Sequence, residues 1–106
     1  MLVAEQVALE VVAEVKPLLD RIRKHDRSLF DQARRAGSSV VLNIAEARYS
    51  DPGNARARYH TAAGSAHELS AALKVAMAWG YITEPAVHPV EQKIDRVRRL
   101  LWGLRK

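Results

Sequence analysis

Histidine and acidic side chains in the middle of the chain are the first residues whose types could bind a metal ion. His67 followed by Glu68 starts like the zinc-protease motif His-Glu-x-x-His, but the fifth position is Ala71. His60 lies seven residues before His67, which on a helix is about 10 Å of axial rise. That distance is too long for one metal ion without a partner chain. The sequence therefore predicts no zinc site here.

The other candidates for catalysis also lack the spacing that their chemistry needs. Di-iron bundles use Glu-x-x-His on two helices, whereas Glu84 and His88 are spaced by four and have no second copy. Ser38, Ser39 and Ser65 are not part of a Gly-x-Ser-x-Gly turn, and the chain has no glycine-rich phosphate loop and no cysteine. We therefore expect no enzymatic activity, no catalytic residue, no metal and no cofactor.

Basic residues carry the remaining chemical signal. The formal net charge is +5, and it divides into −3 for residues 1–20, +5 for residues 21–60 and +3 for residues 61–106. Clustered arginine suits bidentate contact with phosphate, although a solvated charged face is the alternative interpretation. The clusters at the ends of the second and fourth predicted helices should be neighbours in an antiparallel bundle. The residues predicted to bind RNA or DNA are Arg48, Arg56, Arg58, Arg96, Arg98, Arg99, Arg105 and Lys106.

Length and composition limit the protein to a single small domain, residues 1–106. Hydrophobic residues make up 48% of the chain and charged residues 27%, which is a globular balance. No uncharged run approaches the roughly 20 residues that a membrane-spanning helix needs. Glu5, Glu10 and Glu14 argue against a signal peptide. We expect a cytoplasmic protein that has no membrane partner.

Apolar residues recur at helical spacing along almost the whole chain. The first helix follows a stripe from Val7 to Ile22 and is expected to kink at Pro17. Turn residues around Pro52 and a terminating Gly80 divide the rest, and Asp26 or Ser28 could cap the second helix. The predicted fold is all-α, an up-down-up-down four-helix bundle. After the first helix, the predicted segments run from about Leu29 to Arg48, Ala55 to Trp79 and Pro85 to Leu104.

Two of these helices carry apolar residues on more than one face. A single bundle cannot bury both faces of a helix, so the surplus predicts contact with further copies of the chain. Trp102 lies near Arg98 on the helical wheel, where it could stack on a base, but a subunit contact is favoured. The apolar or small residues assigned to the oligomer interface are Leu42, Gly64, Val75, Trp79 and Trp102.

A polar stripe follows one flank of the second helix at spacings of four, four and three. It consists of Arg35, Ser39, Asn43 and Glu46. A catalytic acid is one interpretation, but no histidine or second acid stands at a compatible spacing on that flank. We therefore predict a hydrogen-bonded network that fixes the register of an oligomer interface.

Two sequence blocks carry a family resemblance. The first comprises Arg34-Arg35-Ala36, Ser39 and Asn43-Ile44-Ala45-Glu46; the second comprises residues 62–69, Leu73 and Gly80-Tyr81-Ile82. Together they resemble the four-helix-bundle proteins encoded in intervening sequences of bacterial large-subunit ribosomal RNA genes. That family includes the accessory variability proteins of diversity-generating retroelements. The chain departs from the pattern at Ala47, where the family usually has Gly, and at Val41, where it often has Pro.

The resemblance implies a non-enzymatic bundle that assembles into a homopentamer and binds nucleic acid through a basic surface. For the retroelement branch it also implies association with a reverse transcriptase. A protein-binding scaffold, such as a docking partner for that enzyme, is the alternative function.

Overall fold

The structure is a computed structural model that describes residues 1–105. It contains four helices, α1 (Val3–His25), α2 (Arg27–Ala47), α3 (Pro52–Ala78) and α4 (Glu84–Leu104). Each helix packs against the next, and α4 closes the ring by packing against α1. The described residues form no strand, so the predicted all-α four-helix bundle is confirmed. None of the helices in this part of the chain has the length and apolarity to cross a membrane.

The core is built from aliphatic side chains of moderate size and from alanine. The predicted seam of α4 is buried from Val87 to Leu101, but Leu104 is 40% exposed, because the last turn extends beyond the core. A Cβ at Gly37 would make ordinary contacts with Leu69 of α3, at 3.8 Å, and with Val12 of α1, at 4.0 Å. The largest fully buried side chains are Val15, Ile22, Ile44, Leu69, Leu73, Val87, Ile94, Val97 and Leu101.

The first connection is a single residue. Asp26 is extended and accepts a hydrogen bond from the backbone N–H of Leu29 at 2.9 Å, so it caps the start of α2. This confirms one of the two predicted caps. Helix α1 runs through Pro17 as one element, because an interior proline removes one backbone donor without ending the helix.

The predicted break before α3 was placed too late. Asp51 accepts a hydrogen bond from the N–H of Asn54 at 3.0 Å, and Pro52 occupies the first turn. Proline suits that position because its missing N–H has no intrahelical partner there. The residues Pro52-Gly53-Asn54 therefore begin the helix instead of forming a turn before it.

The end of α3 is a glycine-terminated hydrogen-bonded turn. Gly80 has φ of +80°, and its N–H donates to the carbonyl of Met77 while the N–H of Tyr81 donates to Ala76. These are the two bonds of a Schellman motif. The prediction that Gly80 ends the third helix is confirmed.

Candidate nucleic-acid interface

A groove of about 770 Å³ runs between α3 and α4. Its α4 wall uses residues spaced by three and four, which lie on one helix face. The α3 wall follows the same rule. The described lining residues are His60, Ala63, Gly64 and His67 on α3, Asp95, Arg98, Arg99 and Trp102 on α4, and Arg105 directly after α4. The antiparallel pairing of two consecutive helices thus brings together side chains up to 45 positions apart.

Gly64 provides clearance in the α3 wall. A Cβ built at this position would meet no atom within 4 Å. Packing therefore gives no reason for a glycine here, although glycine in a helix costs about 1 kcal/mol relative to alanine. The missing side chain leaves open space that belongs to the groove.

Positive charge dominates the α4 wall. Arg98 and Arg99 are exposed, and Asp95 is the acidic residue among the described lining residues. Its carboxylate lies 3.7 Å from Arg98, with both side chains about half exposed. Exposed pairs of this kind are worth about 0–1 kcal/mol, so Asp95 holds Arg98 only weakly. Both arginines can therefore turn towards an anion.

Arg105 is the most constrained arginine of the groove. Its Nη1 donates to Nδ1 of His60 at 3.2 Å, and its guanidinium carbon lies 4.7 Å from the ring centroid of Trp102. Among the described residues, its Nε is a buried donor without a hydrogen-bond partner. Leaving such a group unpaired costs about 1–3 kcal/mol. Arg105 is thus held beside Trp102 with a donor still to be satisfied.

Three arginines near the connection between α2 and α3 differ in how firmly ion pairs hold their side chains. Arg48 bonds the buried Glu5 of α1 at 3.0 Å, whereas Arg58 contacts the exposed Glu46 at 3.6 Å. Arg56 is exposed in the second turn of α3. Because a buried carboxylate is costly to leave unpaired, Arg48 is committed to the fold, while Arg58 can exchange its partner. The contact between Arg105 and His60 brings the end of α4 to the first half of α3, whereas Arg58 faces α2. The closeness of the two arginine clusters stays a prediction.

Arg96 is not among the lining residues of the groove. The charge of Arg96 acts on Glu10 of α1, although the hydrogen bond from Lys93 is the larger cause that lowers the pKa of Glu10. Lys106 lies outside the described residues. The groove thus contains Arg98, Arg99 and Arg105 from the predicted set, and its two histidines and Asp95 were not predicted. The shared spacing of His60 and His67 with Gly64 is the sequence signal that could have placed them there.

Three members of the polar stripe on α2 connect to α3 of the same chain. Ser39 and Ser65 share a hydrogen bond of 2.8 Å, and Asn43 donates to Ser39 at 3.0 Å. Arg58 reaches both Asn43, at 3.4 Å, and Glu46. Three of the four predicted members are therefore linked to one another or to α3 by hydrogen bonds and an ion pair. Arg35 is exposed and lines a shallow depression with Arg34 and Leu42; its place at an oligomer interface stays a prediction, as does that of the network.

Large apolar side chains remain exposed on the single chain. Leu42 is 62% exposed, Val75 44% and Trp79 69%, in agreement with the apolar surplus seen in the sequence. Their role as an oligomer interface stays a prediction. Trp102 is 56% exposed, and like Gly64 it shares the groove with the arginines. The groove therefore contains residues that the sequence assigned to the oligomer interface next to residues that it assigned to nucleic-acid binding.

The groove does not have the composition of a metal centre. Among residues 1–105, no group of three histidine, aspartate or glutamate side chains is placed to hold a metal ion. His60 forms its contact with Arg105, and a guanidinium is a donor that repels cations. The described lining carries three arginines and one carboxylate.

Comparison with known proteins agrees with this architecture. The sequence matches the family described as 23S rRNA-intervening sequence protein over residues 1–103. Among curated proteins, none matches it significantly. Matching solved structures include a Bacteroides thetaiotaomicron protein with unknown function from the S23 ribosomal protein family. That structure has a TM-score of 0.90 and 20% identity, and the match covers 98% of this chain and 99% of that chain. At this identity the likeness concerns the fold alone.

Proposed function

The chain belongs to the family of 23S rRNA-intervening sequence proteins, and from that premise we propose that it is a non-enzymatic helical bundle that binds RNA or DNA. The binding surface is the groove between α3 and α4, extended by Arg56 and Arg58. The protein acts as a homo-oligomer, which family resemblance suggests is a pentamer.

The observation that carries this proposal is the convergence of Arg98, Arg99 and Arg105 in one groove that also contains Trp102. Guanidinium groups bind phosphate oxygens in bidentate geometry. Asp95 is the opposing carboxylate, and its contact with Arg98 is exposed and long. The groove thus combines net positive charge with a flat aromatic group, the two features that single-strand binding surfaces share.

Oligomerisation would strengthen weak phosphate contacts. Leu42, Val75 and Trp79 expose apolar area that favours burial between copies. Each added copy supplies another groove, and linked sites raise the overall affinity without any new contact. Binding should therefore tolerate sequence changes and weaken steeply with salt.

The test is a titration of a fluorescent 20-nucleotide RNA, and of the same DNA sequence, at 50 and 200 mM salt. Wild-type affinity should fall steeply between these concentrations. The double variant Arg98→Glu/Arg99→Glu should lose at least about tenfold in affinity, and its salt slope should drop by roughly two. The matched control is Arg21→Glu/Lys24→Glu, which changes the charge equally on exposed residues near the end of α1. No binding at 50 mM salt, or affinity independent of salt, contradicts the proposal.

A scaffold role is the competing function, and one outcome of a similar experiment favours it. If charge reversal at Arg56, Arg58, Arg98 and Arg99 leaves nucleic-acid binding intact, these arginines are not the phosphate contacts. The protein would then serve as a docking partner for another protein, for example a retroelement reverse transcriptase.

A further inference from the structure

We propose that the groove receives one unpaired nucleotide, whose phosphate binds at Arg105 and Arg99 while its base stacks at Trp102. This inference rests on the proposed function and specifies the form of nucleic acid that the groove takes. The ligand is a flexible single strand, or a free nucleotide of the same chemistry.

The size of the groove fits a single nucleotide. Its volume of about 770 Å³ lies within the roughly 300–1,000 Å³ of small-ligand sites. A duplex keeps its base faces stacked inside the helix, so it can offer its backbone and its base edges to this surface but no base face. An unpaired nucleotide can turn its base away from its neighbours and into the groove.

The phosphate position follows from the unsatisfied donor of Arg105. His60 accepts one hydrogen bond from Nη1 at 3.2 Å, which fixes the side chain but leaves the buried Nε without a partner in the described part of the chain. A phosphate oxygen would satisfy Nε once the side chain turns to expose this donor, and a charged acceptor would replace the contact with His60. Arg99, which lines the same wall, adds a second cation beside this position.

The base position follows from the flat group next to that arginine. The indole of Trp102 is 56% exposed, and the guanidinium of Arg105 lies over its ring at 4.7 Å. Bases stack both on aromatic rings and on guanidinium planes. Across the groove, Gly64 leaves the clearance that a base needs, since even a Cβ there would meet nothing within 4 Å.

Tryptophan fluorescence tests the base contact directly, because the chain has two tryptophans. In the Trp79→Phe variant, Trp102 is the remaining one. A 10-nucleotide single strand should quench its emission, and a duplex of the same sequence should not. The matched control is Trp102→Phe, which keeps Trp79 and should show no quenching by either ligand. Adenosine monophosphate serves as the free nucleotide, and quenching at the same concentration as the decamer would identify a free nucleotide as the occupant.

Affinity measurements separate this inference from the proposed function. Trp102→Ala should weaken single-strand binding by roughly five- to a hundredfold and leave duplex binding unchanged, with the fold checked by circular dichroism. The single strand and the duplex could instead bind with equal, salt-dependent affinity and without quenching Trp102. That result would overturn the unpaired-nucleotide proposal and leave the proposed function standing. Absence of binding to any nucleic acid removes both.

Discussion

The carboxylate of Glu5 and the guanidinium of Arg48 meet at 3.0 Å and fasten the first turn of α1 to the residue that ends α2. The Glu5 side chain is 9% exposed and that of Arg48 31%. The hydrogen bond that Arg48 donates to Glu5 raises the pKa of Arg48 above its usual range. This arginine therefore stabilises the fold, in contrast to its exposed neighbours on α3.

The contact between Glu5 and Arg48 predicts that Arg48 contributes mainly to stability, whereas Arg56 contributes mainly to RNA binding. Arg48→Gln should lower the melting temperature clearly, because it leaves the buried carboxylate of Glu5 without its partner. Arg56→Gln, at an exposed position, should leave the melting temperature unchanged and weaken RNA binding at low salt. Thermal unfolding and RNA titration of both variants check this. Equal melting temperatures for the two variants would contradict the structural role of Arg48.

The helices and their buried faces could be predicted because hydrophobic periodicity is a local property of the sequence. The arginine wall of α4 was predictable for the same reason. The pairing of Arg48 with Glu5 was not, because the two residues are 43 positions apart and only packing decides which helix faces meet. The start of α3 was misplaced because Asp51 and Pro52 suit both a turn and a helix N-terminus.

The groove was only half predictable. Arg98 and Arg99 were assigned to nucleic acid, but Gly64 and Trp102 were assigned to an oligomer interface. The wheel gives each residue's angle on its own helix, whereas the groove depends on how α3 and α4 rotate against each other. Only the packed structure determines that rotation.

Charge placed on the exposed apolar residues should dissociate the oligomer. Leu42→Glu or Val75→Glu puts a carboxylate where burial against another copy would cost several kcal/mol. Sedimentation velocity should show a multimer for the wild type and a folded monomer for each variant. Gln92→Glu, at an exposed polar position on α4, is the control and should stay assembled. A monomeric wild type at micromolar concentration contradicts the interface.

Filling the groove should block binding without harming the fold. Gly64→Met should raise stability by up to about 1 kcal/mol, because methionine is a better helix former than glycine. It should also abolish RNA binding, since its side chain would occupy the groove. Gly103, where a Cβ likewise meets nothing within 4 Å, lies outside the groove lining, and Gly103→Met should stabilise the helix and bind normally.

Urea unfolding and RNA titration measure both effects of these glycine substitutions. Dissociation of the oligomer by Gly64→Met with RNA binding retained would instead place Gly64 at a subunit contact.

Lys93 makes stability depend on pH at both extremes. It bonds Glu10 at 2.8 Å and also contacts Glu14. The hydrogen bond from Lys93 lowers the pKa of Glu10 below its ordinary 4.5, and the bond to Glu10 raises the pKa of Lys93 above 10.5. The stabilisation from Glu10 is therefore present above pH 4.5 and lost as the pH falls through its lowered pKa. That from Lys93 is present below pH 10.5 and lost as the pH rises through its raised pKa.

Thermal unfolding of Lys93→Gln across pH tests this. Its melting temperature should lie below that of the wild type at neutral pH, and the difference should shrink towards pH 2–3 as the carboxylates become protonated. Lys16→Gln removes an exposed pair with Asp20 and should have little effect at any pH. A difference that persists in acid would indicate packing of the lysine stem as its cause.

The positive φ of Gly80 predicts a specific cost for any side chain there. Gly80→Ala should destabilise the protein by about 1–2 kcal/mol, because L-residues are strained in this conformation. Gly53→Ala is the matched control, since its Cβ would make an ordinary 3.5 Å contact with Asp51 and helix propensity would improve. The urea concentration at the midpoint of unfolding should therefore fall for Gly80→Ala and rise for Gly53→Ala. An unchanged midpoint for Gly80→Ala would contradict the prediction.

Eight of the nine described lining residues of the groove lie on α3 and α4, and the ninth, Arg105, directly follows α4. The two helices are joined by the short connection 79–83. Helix α2 contacts this hairpin through the core, an ion pair and the hydrogen bonds of Ser39 and Asn43, and it carries Leu42 of the proposed subunit contact. The outward surface of α1 has neither task, so it could diverge among descendants of this protein while the proposed ligand site is inherited intact on the second hairpin.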